Sequence, residues 1–239
     1  GRLADLEIIL KEINYQFCQK DDLLGKKIIV TAGPTLERID PVRFISNKSS
    51  GKMGYAIASE ASKRGGNVTL ISGPTNLVSP PGIETYFCEC AEEMLNLVVD
   101  KFQECKALIM AAAVGDFSPE NYEENKIKRN VIGDNILKLK NNPDILIELS
   151  TKKNGQVVVG FAAESENILE NALEKLKKKS LDLIVANDIV KSGVGFGSDY
   201  NEAIFIKKDK QIRYLEKMPK TELANLLLDE IVDLINKKT

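Results

Sequence analysis

Four stretches of the chain carry side chains able to do chemistry. The longest runs from Thr31 to Gly54 as Thr-Ala-Gly-Pro-Thr-Leu-Glu-Arg-Ile-Asp-Pro-Val-Arg-Phe-Ile-Ser-Asn-Lys-Ser-Ser-Gly-Lys-Met-Gly. Within it Asn47, Ser49, Ser50 and Gly51 stand just before a segment of helical composition. Hydroxyls and free backbone N–H groups at such a helix start suit an anionic ligand. Gly51 and Gly54 admit a close backbone approach. A capped helix after a polar loop is the plainer alternative. The stretch is not a Walker phosphate loop, which would need Gly at position 46 and Ser or Thr at 53, where Ser46 and Met53 stand. Nor do its glycines fall as G-x-G-x-x-G.

The second stretch is Ala111-Ala-Ala-Val-Gly-Asp116, whose small residues leave room for a ligand against the backbone. Asp116 could accept hydrogen bonds from a base or sugar, or help hold a cation; a strand packed under a helix is the alternative. The third is the basic run Lys126-Ile-Lys-Arg129, a solvated charge run when taken alone. Lys175 and Lys179 lie one helical turn apart, and lysines converging on a cleft would suit a polyphosphate. The fourth pairs Asn141-Asn-Pro-Asp144 with Gly160-Phe-Ala-Ala-Glu164. Phe161 follows an apolar run, so its ring serves either core packing or stacking on a base. Tyr122-x-x-x-Lys126 matches a short-chain dehydrogenase spacing but has no glycine fingerprint upstream.

Among its 239 residues the chain has no histidine. That excludes Ser-His-Asp and Cys-His catalysis, His-ligated zinc and any imidazole shuttle. Lys+Arg number 33 and Asp+Glu 35, a near-neutral balance that implies no nucleic-acid partner. No apolar run reaches the roughly 18 residues of a membrane span, and no leader reads as a signal peptide. Cys18, Cys88, Cys90 and Cys105 include one Cys-x-Cys pair without a second pair, so they read as reduced packing residues of a cytoplasmic protein.

The elements that must position these stretches alternate in type. Residues 1–24 read as a helical preface, with Leu3, Leu6, Ile9, Leu10 and Ile13 at helical spacing, and 25–239 as one domain. Strands are expected at 28–32, 68–71, 85–88, 107–114, 136–140, 157–159 and 181–186, and a hairpin at 203–207 and 211–215. A long polar loop is expected over 34–50. Helices are expected at 51–64, 91–104, 144–152, 166–179 and 221–235. The fold class implied is α/β: a Rossmann-like, mostly parallel sheet flanked by helices, with a small antiparallel hairpin extension. Such a sheet binds ligands beyond the carboxyl ends of its strands.

Eight blocks in order resemble one family: Val30 to Thr35 with Glu37, Asp40-Pro-Val-Arg43, Ile45 to Gly54, Ala112 to Asp116, Lys126-Ile-Lys128, Asn142-Pro-Asp144, Gly160 to Glu164 and Ala186-Asn-Asp188. The family is phosphopantothenate–cysteine ligase, the synthetase half of the bacterial coenzyme A biosynthesis bifunctional protein. The resemblance spans about residues 25–235. It implies a CTP-dependent ligation of 4′-phosphopantothenate with L-cysteine through an acyl-cytidylate, with Mg²⁺ on the triphosphate and a homodimer as the working unit.

By resemblance, Asn47 would hold the reacting carbonyl and Lys126 would serve the addition of cysteine close to the nucleotide. Met110, Ala111, Ala112, Asp116, Asn141, Asn142, Pro143, Asp144, Phe161, Lys175 and Lys179 match CTP-contacting positions. Gly33, Arg43, Ser49, Ser50 and Gly51 match phosphate contacts. The chain departs from the family's pattern at Asn141, often Lys there, and at Arg129. It begins with Gly1 rather than Met, and Gly1-Arg-Leu-Ala4 looks like the junction after the family's flavin-dependent decarboxylase, so no flavin is expected in this chain. The competing expectations are a nicotinamide-dependent reductase on a similar sheet and a nucleotide-binding module without turnover.

Overall fold

A computed structural model describes residues 6, 20–128, 136–164, 166–188 and 197–238, with Asp188 described by its backbone alone. Cys18, Arg129 and most of the helical preface lie outside them. The preface ends in a turn at 21–25, where Leu23 is fully buried and its N–H donates to the Arg64 carbonyl.

β1 (Lys27–Ala32) is apolar on both faces because both faces are covered. It pairs in parallel with β4 (Asn67–Ser72) on one side and β6 (Ala107–Met110) on the other. β5 (Glu84–Phe87) extends the first side in parallel, as β9 (Val157–Glu164) and β10 (Leu183–Asp188) extend the second. β11 (Tyr200–Lys207) and β12 (Ile212–Pro219) complete the sheet antiparallel. The order is β12-β11-β10-β9-β6-β1-β4-β5. Its six parallel strands follow the doubly wound nucleotide-binding order, and the direction of winding reverses between β1 and β6. The expected α/β class is therefore observed, with the hairpin built into the main sheet.

Alternation along the strands sorts the core into two layers. Ile28, Val30 and Ala32 face α1 (Lys52–Lys63) and α5 (Lys220–Lys238). Ile29 and Leu108 face α2 (Ala91–Phe102), α3 (Ile145–Ser150) and α4 (Ile168–Lys178). α1 is built of small residues so that it can lie close to β1: a Cβ on Gly54 would stand 2.5 Å from the Ala32 Cβ.

Four expectations change. The 34–50 loop contains a hairpin of β2 (Leu36–Arg38) and β3 (Phe44–Ser46). The strand expected over 107–114 stops at Met110, because the backbone beyond it finds partners outside the ladder: the Ala112 N–H donates to Thr31 Oγ1 and the Ala113 N–H to the Gly33 carbonyl. The strand expected at 136–140 is Leu139–Asn141 (β8), which pairs with β7 (Phe117–Pro119) in a small sheet apart from the main one. β9 continues past Val159 to Glu164, so Phe161 lies inside the strand, opposite Val185, rather than after it.

Cys88 and Cys105 are buried free thiols, pushed up to about 12 by burial, while Cys90 precedes α2. Among the described residues no helix is long and apolar enough to cross a membrane.

Candidate functional site at the strand switch point

Beyond the carboxyl ends of β6, β9 and β10 lies a cavity of about 490 Å³. Its walls are the 47–54 segment entering α1, the 110–116 loop, the start of α3 and the lysines of α4. This is the crevice where the winding reverses, the usual ligand site of such sheets.

Hydroxyls and side-chain amides hold the 111–116 loop in place, since it has left the sheet. Thr31 Oγ1 accepts from the Ala112 N–H at 3.1 Å and Thr35 Oγ1 from the Gly115 N–H at 2.9 Å. Thr35 donates in turn to Glu37 Oε1, a buried carboxylate that also accepts from Ala91 at the start of α2. Asn142 Nδ2 donates to the Gly115 carbonyl at 2.9 Å. Asn47 Nδ2 donates to the Val114 carbonyl, also at 2.9 Å, so one amide joins the segment before α1 to the loop after β6.

Of the sequence-derived site residues, Asn47, Ser49, Ser50, Gly51, Met110, Ala111, Ala112, Asp116, Asn142, Pro143, Asp144, Phe161, Lys175 and Lys179 line the cavity. Gly51 has φ +76°, and a Cβ there would meet Thr75 Cγ2 at 2.7 Å, so its glycine character serves the packing of this turn. Asp144 caps α3, its Oδ1 accepting from the Leu146 and Ile147 N–H groups, while its Oδ2 pairs with Lys179 at 2.9 Å. Lys175 pairs with Glu164 at 2.6 Å. Both expected lysines therefore reach the cavity already partnered by a carboxylate.

Four expected residues do not line it. Asn141 is exposed on β8, and Gly33 sits behind the wall, where its carbonyl accepts from Ala113. Lys126 is exposed on its own loop. Arg43 donates through Nη2 to the Ile127 carbonyl at 2.5 Å and pairs with Asp40 at 3.3 Å. Asp40 is almost fully buried, and it accepts from the Val42, Arg43 and Ile127 N–H groups. Burial works against its charge, yet these three N–H groups and Arg43 hold its carboxyl below the usual range. Asp40 and Arg43 thus fasten the Lys126 loop to the β2–β3 hairpin.

Sequence reasoning missed Lys48, Lys52, Asn187, Asn201 and Lys220, all in the cavity wall. Five lysines face two aspartates there, in a chain of net charge −2. Lys52 donates to Asp199 at 2.6 Å and to the Gly197 carbonyl at 3.0 Å. Lys220 is buried and donates to the Ser198 and Tyr200 carbonyls. Burial chiefly, and then the charge of Lys52, push its ammonium below the ordinary lysine value, with Asp199 acting in the other direction. A signal was available: both lysines open helices, the end at which a cation opposes the helix dipole. Lys52 and Lys220 also border a second, apolar-walled cavity of about 640 Å³ formed with Tyr55, Leu77, Val78 and Pro80.

The chain is 43% identical to the Coenzyme A biosynthesis bifunctional protein CoaBC of Bacillus subtilis over 237 residues, 98% of this chain and 58% of that protein. It thus spans somewhat over half the length of the curated relatives it matches. The crystal structure of the C-terminal domain of Coenzyme A biosynthesis bifunctional protein CoaBC is 38% identical, with a TM-score of 0.79, and covers 91% of this chain and 100% of its own. A Cab2 H337A mutant in complex with phosphopantothenate-cysteine shares the fold at 15% identity and a TM-score of 0.66, covering 100% of this chain and 96% of its own. Residues 23–235 match the family described as the DNA/pantothenate metabolism flavoprotein C-terminal domain, and with these likenesses the chain belongs to that family.

Proposed function

We propose that this chain joins 4′-phosphopantothenate to L-cysteine at the expense of CTP, as the ligase part of a coenzyme A biosynthesis protein. The observation that carries the reading is the cationic cavity at the switch point, assembled from the Asn47, Asp116, Asn142–Asp144 and Phe161 blocks of a chain that belongs to this family.

A carboxylate is a poor acyl donor and must first be activated. Its oxygen attacks the α-phosphorus of CTP, the bond to the β-phosphate bridging oxygen breaks, and pyrophosphate leaves with that electron pair. The amine of cysteine then attacks the acyl carbon of the mixed anhydride, CMP leaves, and the nitrogen loses a proton. Both steps depend on placing groups and neutralising charge, which suits a site without histidine. In this reading Lys175 and Lys179, steadied by Glu164 and Asp144, face the triphosphate. Phe161 and the small residues Ala111 and Ala112 receive the base, and Asn47 holds the reacting carbonyl. Lys126 closes on the site for the second step, from a loop that Asp40 and Arg43 fasten nearby.

Mg²⁺ would enter on the triphosphate and neutralise its charge. The donors fit that role: Asp116 is exposed at the cavity, where one carboxylate beside substrate phosphates suits this ion. The working unit is a homodimer in the cytoplasm, joined by fusion or association to a decarboxylase. Exposed Val42, Phe44, Phe117 and Leu139 on the two small hairpins offer a face for the second copy.

The test is a pyrophosphate assay with CTP, 4′-phosphopantothenate and Mg²⁺, run with ATP as comparator. Pyrophosphate should appear without cysteine, and CMP should follow when cysteine is added. No CTP-dependent product would overturn the proposal.

A further inference from the structure

Four lysine-rich segments meet at the amino edge of the main sheet, the end away from the ligand cavity. They are residues 151–156, 177–182 and 207–211 and the last residues of α5. The first two lead into the parallel strands β9 and β10, and the pairing of Leu183 with Lys207 brings the end of antiparallel β11 to the same edge. Asp182 ties all four together. Its carboxylate accepts from Lys153 at 2.7 Å and from Lys238 at 2.8 Å, and its carbonyl accepts from the Lys208 N–H at 2.9 Å. Neighbouring strands lie about 4.8 Å apart, so the edge from β9 to β12 is a row about 15 Å long.

These segments hold 10 of the chain's 33 Lys+Arg and 2 of its 35 Asp+Glu, so the rest of the chain holds 23 and 33. The near-neutral total hides a molecule divided in charge. Few of the lysines are used internally. Lys153 and Lys238 share Asp182, Lys207 pairs with Glu230, and Lys179 reaches Asp144 at the cavity. Lys152, Lys177, Lys178, Lys208, Lys210 and Lys237 are exposed and make no ion pair among the described residues. The negative ends of the α4 and α5 dipoles account for lysines in their last turns. The turn from β11 to β12 follows no helix, yet it carries three. Burial chiefly pushes the Lys153 ammonium below the ordinary lysine value; Asp182 opposes this, and the charges of Lys238 and Lys208 add to it.

The composition of the edge narrows what it can hold. All ten basic residues are lysines, with no Arg fork to grip one phosphate or a base edge. There is no aromatic ring to stack on a base, and the one leucine, Leu181, is buried and cannot insert. What remains is attraction to negative charge spread over a surface, which anionic lipid headgroups present. We infer that this edge docks the domain on an anionic lipid bilayer, peripherally and reversibly with salt. The eight residues of β9 separate the row from the cavity by roughly 25 Å, so a docked domain keeps its cavity open to solvent.

The experiment is co-sedimentation of the whole chain with vesicles of phosphatidylcholine, alone or mixed with phosphatidylglycerol. At low salt the chain should pellet with the mixed vesicles only, and high salt should release it. Lys208→Gln together with Lys210→Gln should lower the partition coefficient by roughly 25-fold, about fivefold for each lysine. Their urea midpoint should match the wild type, because both side chains are exposed. Lys152→Gln with Lys178→Gln, on the neighbouring segments, should lower partition as much. Lys138→Gln with Lys140→Gln, an equal loss of charge at β8, should change it by about twofold at most. Absence of binding to the mixed vesicles at low salt overturns the inference, as does an equal loss in the Lys138 and Lys140 control. Binding of random-sequence duplex DNA in place of the vesicles overturns it too, and makes the edge a nucleic-acid surface.

Discussion

The two edges of the central sheet use the same residue types to different ends. At the amino edge Asp182, just before β10, accepts from Lys153 at 2.7 Å and Lys238 at 2.8 Å, and from the Val158 N–H. Arg64 at the end of α1 binds Asp22 and Asp229 with its own side chain almost fully buried. In each cluster one enclosed group, Asp182 or Arg64, holds two partners of opposite charge, and so fastens chain segments together. At the carboxyl edge lysines outnumber carboxylates and line a cavity large enough for a ligand. A charged pair whose central group is enclosed is structural, whereas a pair that borders a cavity keeps its lysine within reach of a ligand.

That contrast can be broken from either side. The largest effect is expected for Asn47→Ala, which should slow pyrophosphate release by roughly 10²–10³-fold, as loss of one positioned amide donor does. Its urea midpoint should change little, because Asn47 is exposed. Asp182→Ala should do the reverse. It leaves Lys153 enclosed without its carboxylate and should lower stability by about 3 kcal/mol in urea unfolding, with turnover per folded molecule retained. The pH dependence sharpens this. Burial alone would raise the Asp182 carboxyl, but Lys153 and Lys238 hold it below its ordinary value of 3.8. A carboxylate depressed in the folded state adds stability that is complete above its unfolded pKa. The wild-type advantage over Asp182→Asn should therefore persist at neutral pH and disappear as pH falls below about 4.

Lys126→Gln is expected to be intermediate. The acyl-cytidylate should still form and be trapped by mass spectrometry, while transfer to cysteine slows by about tenfold or more. If both half-reactions are unaffected, the role given to Lys126 is wrong. Asp40→Asn should have the smallest effect, a slowing of cysteine transfer by a few fold. Amide hydrogen exchange at Ile127 should become faster, since its N–H loses an ionised acceptor.

Much of the fold was legible because parallel strands covered on both faces must be apolar throughout. Ile28-Ile29-Val30 and Val157-Val158-Val159 declare themselves for that reason. Terminal helix α5 shows its leucine face for the same kind of reason. Legibility failed where side chains replace the ladder. Ala111 to Val114 has strand composition, yet Thr31, Gly33 and Asn47 take its backbone groups. Phe161 looked like a residue after a strand because Gly160 interrupts the β-branched run, although pairing with β10 carries the strand through it. The β2–β3 hairpin escaped notice because polar, proline-containing sequence hides three-residue strands.

The local sequence was enough to place Asn47, Asp116 and Asp144 on loops and element ends that such a sheet brings to one edge. Periodicity and turn chemistry act over a few residues, and the strand order follows from their alternation. It could not tell which lysines share a cavity. Lys126 stays on an exposed loop, fastened by Asp40, while Lys52 and Lys220, far apart along the chain, stand in one wall because α1 and α5 pack side by side. Burial of two long apolar faces decides that meeting, because the choice of which helix packs beside which is made by the whole sheet and not by the residues that open each helix.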